Sequence, residues 1–329
     1  MSEQEKKYNN PVSATLTGIS NLFKKQIRVG TLDPSDRLDG KKILITGSSS
    51  GLGRATAIEL AKLGAEVIMA VRSGIPEKME EVKRKSGSDQ VFIHYVDLSD
   101  FDSIHNLVNE IKEKYGQLDD VICNAAIVAK KGRKTKHGQE QMFTINYLAK
   151  FLFINLLLKN DCIKTSGPNV SRIIFVASES HRNPREFIWS DFGKYIPHSI
   201  GKTVELYAYY KLLLLSFAHE LSCRLNADKT NISVFSLCPG PINSNIAREA
   251  PVVFKPLLRL VFGIFFRSPK KASEPLVYLT ASKDVEGKPF DYLFLMERKA
   301  IDEKASNQEN GKKLWQLSEE LLGALGEKI

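Results

Sequence analysis

The sequence predicts a doubly wound α/β fold, with one parallel sheet of about seven strands and helices on both faces, in a single domain. Two observations carry this. From residue 41 onward, short and nearly continuous apolar runs alternate with longer helical patterns, and such runs suit strands buried on both faces. The first run also passes through a glycine-rich turn straight into the first helical pattern.

The strand candidates are 42–46 (KILIT), 66–71 (EVIMAV), 91–95 (VFIHY), 120–123 (DVIC), 172–177 (RIIFVA), 232–237 (ISVFSL) and 290–294 (FDYLF). Helical patterns lie between them at about 52–63, 77–85, 101–115, 139–159, 204–226 and 270–281. Residues 1–40 read differently. Asn9-Asn10-Pro11, Gly18, Gly30 and Asp33-Pro34-Ser35 are turn and breaker signals, so this stretch is expected to be an extension, draped on the domain or partly disordered. The domain is expected to span 41–329, and no internal repeat divides it.

Composition narrows the class. The 329 residues are 43% hydrophobic and 26% charged, which excludes disordered, collagenous and low-complexity chains. The 47 basic and 38 acidic side chains give a net charge of +9, compatible with an anionic ligand, an acidic membrane surface or nucleic acid. Cys123, Cys162, Cys223 and Cys238 lie far apart, so neither a disulfide framework nor a zinc site is suggested and a reducing, cytoplasmic setting is expected. The polar start MSEQEKKYNN lacks the layout of a secretory signal, and no run approaches about 18 apolar residues.

The glycine turn is Gly47-Ser48-Ser49-Ser50-Gly51-Leu52-Gly53. Glycines there let backbone approach a pyrophosphate, while the N–H groups of the following helix hold its charge. Gly47, Ser49, Ser50, Gly51, Leu52 and Gly53 are therefore candidate dinucleotide ligands in a Rossmann-type sheet. About 20 residues on, an acid would bind the adenine ribose of NAD, whereas an arginine would accept the 2′-phosphate of NADP. No acid stands between Val67 and Gly74, and Arg72 does, so NADP(H) is the expected cofactor; Arg54 is a second candidate for the phosphate.

The spacing T-G-x-x-x-G-x-G resembles the cofactor loop of the short-chain dehydrogenase/reductase family. The resemblance covers about 41–323 and implies further roles. Asp97, with Leu98 after it, matches the residue that caps the adenine. Cys123-Asn124-Ala125-Ala126 is similar to the family's N-N-A-G, with Cys123 for the first Asn and Ala126 for the Gly; Asn124 and Ala125 are expected at the cofactor. Pro239, Gly240, Ile242 and Ser244 resemble the segment that wraps the nicotinamide.

Tyr207 and Lys211 are four apart in a helical stretch, hence on one face, and an ammonium beside a phenol lowers the phenol's pKa. Ser178 follows the fifth strand, whose C-terminal end faces the ligand crevice in this architecture. By resemblance Asn146, Ser178, Tyr207 and Lys211 form a catalytic tetrad. Tyr207 would exchange the proton, Ser178 would hold the substrate oxygen, Lys211 would act on Tyr207 and the nicotinamide ribose, and Asn146 would organise water near the lysine. His181 is expected to be a pocket or loop residue.

The 28 residues between Ser178 and Tyr207 carry Phe187, Trp189, Phe192 and Tyr195. With Arg72, His181 and the C-terminal stretch 314–323, they resemble the retinol dehydrogenase-like branch. That branch implies a lipophilic alcohol or carbonyl as substrate, retinoid-, steroid- or fatty-aldehyde-like. A substrate lid is expected at about 241–268, and its apolar part 252–267 is read equally as a membrane-touching lid or as an interior helix. The apolar helices containing 151–158 and 212–215 are expected to make core or homodimer contacts. A cofactor-binding scaffold without catalysis is the alternative. Nucleic-acid binding through Lys130, Lys131, Arg133, Lys134 and Lys136 is disfavoured, because no aromatics interleave the basic residues.

Overall fold

A computed structural model describes residues 28–167, 170–240 and 267–328. The strands are β1 (Lys42–Thr46), β2 (Glu66–Val71), β3 (Val91–Tyr95), β4 (Asp120–Cys123), β5 (Ser171–Val176), β6 (Ile232–Cys238), β7 (Phe290–Phe294) and β8 (Glu297–Arg298). They form one sheet in the order β3-β2-β1-β4-β5-β6-β7-β8, parallel except for the β7–β8 pair. Chain order reverses between β1 and β4, and this is where doubly wound sheets open a crevice beyond the strand ends.

Alternation along each buried strand divides the interior in two. Leu44, Ile68, Val121, Ile173 and Val234 face one layer, packed by α3 (Phe101–Tyr115), α4 (Gln141–Lys159), α5 (Ile200–Ala227) and α8 (Gln308–Ala324). Ile43, Ile45, Val67, Met69, Ile122, Ile174 and Phe235 face the other, covered by α1 (Gly51–Lys62), α2 (Glu77–Ser86) and α6 (Pro269–Ala281). A short α7 (Glu303–Ser306) precedes α8.

Arg172 of β5 is fully buried and ties α6 to the sheet. Its guanidinium donates to the Leu279 and Thr280 carbonyls at 2.9 and 2.5 Å and to the Ser282 carbonyl at 2.9 Å. These are carbonyls that the end of a helix leaves without a helical partner. In the preceding segment, Val29 N–H donates to the Met296 carbonyl and Leu38 is buried.

Three features depart from the periodicity. Helix α5 begins at Ile200 rather than 204, because Gly201 and Lys202 in its first turn are exposed and carry no apolar signal. Helix α4 is interrupted by a π-turn, Thr144–Leu148, which hydrophobic spacing does not encode. The two-residue β8 adds an antiparallel edge too short to read. Gln141–Lys159 is long and apolar enough to cross a membrane, but 83% of its apolar window is buried in the protein. Phe151 there packs on Phe217 of α5 and Trp315 of α8, so the apolar faces of α4 and α5 are core.

Candidate active site

The residues singled out above converge at the C-terminal ends of β1, β4, β5 and β6. Gly47 leaves β1 with φ +70, and a Cβ there would lie 2.8 Å from the Ala125 Cα. At Gly53 a Cβ would meet the Asn124 Nδ2 at 2.5 Å and the Gly47 carbonyl at 2.6 Å. The Asn124 amide donates to the Thr46 and Gly47 carbonyls at 3.0 and 3.1 Å, and the Ala125 N–H donates to Thr46 Oγ1. The loop after β4 therefore fixes the shape of the glycine turn, and Thr46 is the hinge between them. Ala126, where a glycine is expected by resemblance, is exposed.

Ser50 caps α1 in an extended conformation without using its side chain, and the first turn of the helix holds no acid. The first N–H groups of α1 thus lack a side-chain acceptor, and the glycines leave a cradle that a Cβ would fill. These residues fit a dinucleotide phosphate. Arg72 stands exposed at the end of β2, whereas Arg54 is paired with Glu81 at 2.8 Å. Leu98 is buried, and Asp97 Oδ1 accepts from the Ser99 N–H and hydroxyl. Pro239 and Gly240 follow β6, Gly240 with φ +73. Ile242, Ser244, the expected lid 241–268 up to residue 266, and residues 1–27 lie outside the described residues.

Ser178 leaves β5 and caps a single 3-10 turn, Glu179–Arg182. Its Oγ accepts from the Ser180 N–H at 3.2 Å and the Ser180 hydroxyl at 2.9 Å. His181 is buried beneath. Its Nδ1 donates to the Ser178 carbonyl at 2.7 Å, and its Nε2 accepts from the Asp302 N–H at 3.2 Å. Burial pushes its pKa down to about 4, so it stays neutral and pins this loop to the segment entering α7.

Tyr207 and Lys211 share one face of α5, the amine 5.5 Å from the ring centre. The lowering of the phenol expected from that spacing is not found in this arrangement. Burial pushes Tyr207 above its ordinary value, with Cys238 adding to the rise and Ser178 opposing it. Lys211 is itself buried and donates to the Val176 carbonyl at 2.7 Å. Burial first, and then the Lys150 ammonium, hold it well below the usual lysine range.

Asn146 sits in the π-turn, fully buried. Its amide grips Ile127 from both sides, accepting the Ile127 N–H and donating to its carbonyl, each at 2.9 Å. Its own carbonyl accepts from the Lys150 amine at 3.2 Å. Two residues here escaped the sequence reading, Ser180 and Lys150. A lysine in the apolar run 147–158 was the available signal for the second.

A short chain dehydrogenase profile matches residues 41–190. Human retinol dehydrogenase 14 is 33% identical over 305 residues, covering 88% of this chain and 88% of that protein. Human polyprenol dehydrogenase is 29% identical, covering 92% and 91%. Among solved structures, an uncharacterized protein from Mycobacterium paratuberculosis superposes with a TM-score of 0.67 at 25% identity, over 89% of this chain and 98% of that one. A Pseudomonas aeruginosa RhlG/NADP complex superposes at 0.62 with 20% identity, over 80% and 98%, a likeness of fold. The chain belongs to the short-chain dehydrogenase family, as an oxidoreductase of alcohols or carbonyls in its retinol dehydrogenase-like branch.

Proposed function

We propose that the protein is an NADP(H)-dependent oxidoreductase that interconverts a lipophilic alcohol and its carbonyl, with Asn146, Ser178, Tyr207 and Lys211 as its catalytic residues. The observation that carries this is the placing of Tyr207 and Lys211 on one face of α5, the amine 5.5 Å from the ring centre, with Ser178 leaving β5 beside them, at the same C-terminal end of the sheet as α1 and its glycine cradle.

The nicotinamide supplies a hydride in reduction and accepts one in oxidation. The protein's own residues do the rest. Gly47, Gly51 and Gly53 give the backbone access, Ser49, Ser50 and Leu52 line the turn, and Arg72 is free to meet a 2′-phosphate. Asp97, Leu98, Asn124 and Ala125 border the adenosine side, while Pro239, Gly240, Ile242 and Ser244 border the nicotinamide. In reduction Tyr207 gives its phenolic proton to the carbonyl oxygen, and Ser178 steadies that oxygen as charge develops. Because burial keeps the phenol protonated, Tyr207 is well disposed as the acid; oxidation needs the phenolate, which a charged Lys211 would stabilise. Asn146 holds the Ile127 backbone and so shapes the floor.

A lipophilic substrate is supported by the rim. Thr203 Oγ1 donates to the Ala129 carbonyl and the Ile188 N–H donates to the Tyr209 hydroxyl, which joins three segments around the start of α5. Val128, Ile188 and Val204 on those segments are exposed. The names of the relatives, retinol and polyprenol dehydrogenases, point the same way.

The test is NADPH oxidation by the purified protein with all-trans-retinal and other long-chain aldehydes. Turnover should fall roughly 10²–10⁴-fold in Tyr207→Phe, the usual worth of general acid catalysis. Tight NADPH binding without turnover of any lipophilic carbonyl or alcohol would favour the scaffold reading.

A further inference from the structure

The turn that follows Ser178 is fastened to one segment remote in the chain. Ser180 turns back to the Ser178 hydroxyl, but the other three residues of Glu179–Arg182 reach outward to the stretch from β7 to α7. Glu179 Oε1 accepts from the Tyr292 hydroxyl at 2.7 Å. The Arg182 guanidinium donates to the Ala300 carbonyl at 2.7 Å, and His181 Nε2 accepts from the Asp302 N–H at 3.2 Å. Tyr292 lies in β7, two places across the sheet from β5.

Glu179 is the centre of this fastening. Its other oxygen lies 3.4 Å from Arg182 Nε and 3.5 Å from Lys299 Nζ. One carboxylate thus gathers a hydroxyl from β7, a cation from its own turn and a cation from the segment after β8. Its side chain is 14% exposed and Tyr292 is 1% exposed. Burial alone would raise this carboxyl, but Arg182, Lys299 and the Tyr292 hydroxyl outweigh it and keep it charged, an acceptor at both oxygens. An apolar side chain would fill the same place without burying a charge, so the carboxylate is explained by what it holds. The Tyr292 ring also stands edge-on to the His181 imidazole, centroids 5.6 Å apart, and so braces the turn at a second residue.

We propose that Glu179 is a positioning residue, whose carboxylate locks the turn after β5 onto Tyr292 and Lys299 and thereby fixes the Ser178 hydroxyl in the crevice. This rests on the reading of Ser178 as the group that holds the substrate oxygen. Ser178 Oγ takes both its donors from Ser180, the residue next to Glu179 in the same turn. A turn free to shift would carry those donors, and the hydroxyl they orient, away from the reacting oxygen. Holding a group in place ahead of the reaction lowers the barrier without any contact with substrate.

The experiment is a double-mutant cycle on kcat with NADPH and a long-chain aldehyde, joined to backbone hydrogen exchange of the same proteins. Tyr292→Phe removes only the hydroxyl, and Glu179→Leu removes the carboxylate. Each should lower kcat about tenfold, the effect of losing one charge-assisted hydrogen bond, and leave NADPH affinity unchanged. In a Ser178→Ala background each should lower it less than about twofold, because the group they position is gone. Equal losses in both backgrounds, or NADPH affinity falling in step with kcat, would mean a general structural role and overturn the proposal. Hydrogen exchange reads the same hold without turnover. The Ser180 and His181 N–H groups, bonded to Ser178 Oγ and to its carbonyl, should exchange about tenfold faster in Tyr292→Phe, while the glycine turn 47–53 keeps its rates. Unchanged exchange at those two amides would overturn the proposal even if Glu179→Leu fails to fold. Faster exchange in a protein that turns over no carbonyl would uphold the hold on Ser178 and overturn only the proposed function.

Discussion

Ser178 is held at both its hydroxyl and its backbone. The Ser180 hydroxyl and N–H meet its Oγ, and the His181 ring meets its carbonyl. Of these, the Ser180 hydroxyl is the one that orients the Ser178 hydroxyl without belonging to the proposed tetrad. Ser180→Ala removes one neutral hydrogen bond, worth about 1 kcal/mol, which corresponds to about a fivefold loss in kcat if the bond is needed in the transition state. Steady-state rates with NADPH and a long-chain aldehyde would measure it, and an unchanged kcat would mean that the Ser180 hydroxyl is not needed to orient Ser178. Gly53 is the other residue whose identity is dictated by contact. Gly53→Ala places a methyl group against the Asn124 amide and the Gly47 carbonyl, neither of which can yield without opening the turn. NADPH affinity should drop at least tenfold, with a lower melting temperature, as read by titration and thermal denaturation.

At the scale of elements, most of the sheet was legible. The bounds 42–46, 66–71, 91–95, 120–123 and 290–294 coincide with the observed strands; all but the edge strand 91–95 are buried on both faces, and such a strand is a self-contained apolar run closed by polar or turn residues. The boundaries that differ are set by three-dimensional context. The first turns of α5 stand partly in solvent, the π-turn of α4 is a backbone event, and β8 exists through its pairing with β7. The candidate site divides in the same way. The glycine turn and the Tyr207–Lys211 spacing are local patterns on one element each, so sequence reveals them. Lys150 and Ser180 act through bonds to Asn146 and Ser178 that depend on the backbone path of the π-turn and of the loop after β5, which spacing alone does not reveal. The tuning of Tyr207 was equally hidden, since spacing along α5 says nothing about the burial that raises the phenol and lowers Lys211.

At the scale of the whole molecule, two buried groups pull stability in opposite directions across the same pH range. His181 has its folded pKa depressed from 6.5 to about 4 by burial, so it takes up protons on unfolding, and its contribution is lost as pH falls from about 6.5 towards 4. Asp120, fully buried with both carboxylate oxygens unpartnered, has its pKa raised to about 6 by burial despite Arg172 nearby. It releases protons on unfolding, so its contribution is lost as pH rises through the same interval. Each is of order 3 kcal/mol at full extent, and together they flatten the profile between pH 4 and 6. Asp120→Asn should expose the His181 slope. Urea unfolding of that variant should show stability dropping by roughly 3 kcal/mol from pH 6.5 to 4, against a much smaller change in the unaltered protein.

The proposed function assigns each end of the dinucleotide to a different part of the molecule, and Arg72 is its least protected point, an exposed arginine at the end of β2 in a stretch without acids. The most direct test is a binding titration of the purified protein with NADPH and, separately, NADH, repeated on Arg72→Ala. The account predicts clear preference for NADPH, reduced at least tenfold in the variant while NADH binding barely changes. Preference for NADH, or an NADPH affinity indifferent to Arg72, would contradict it.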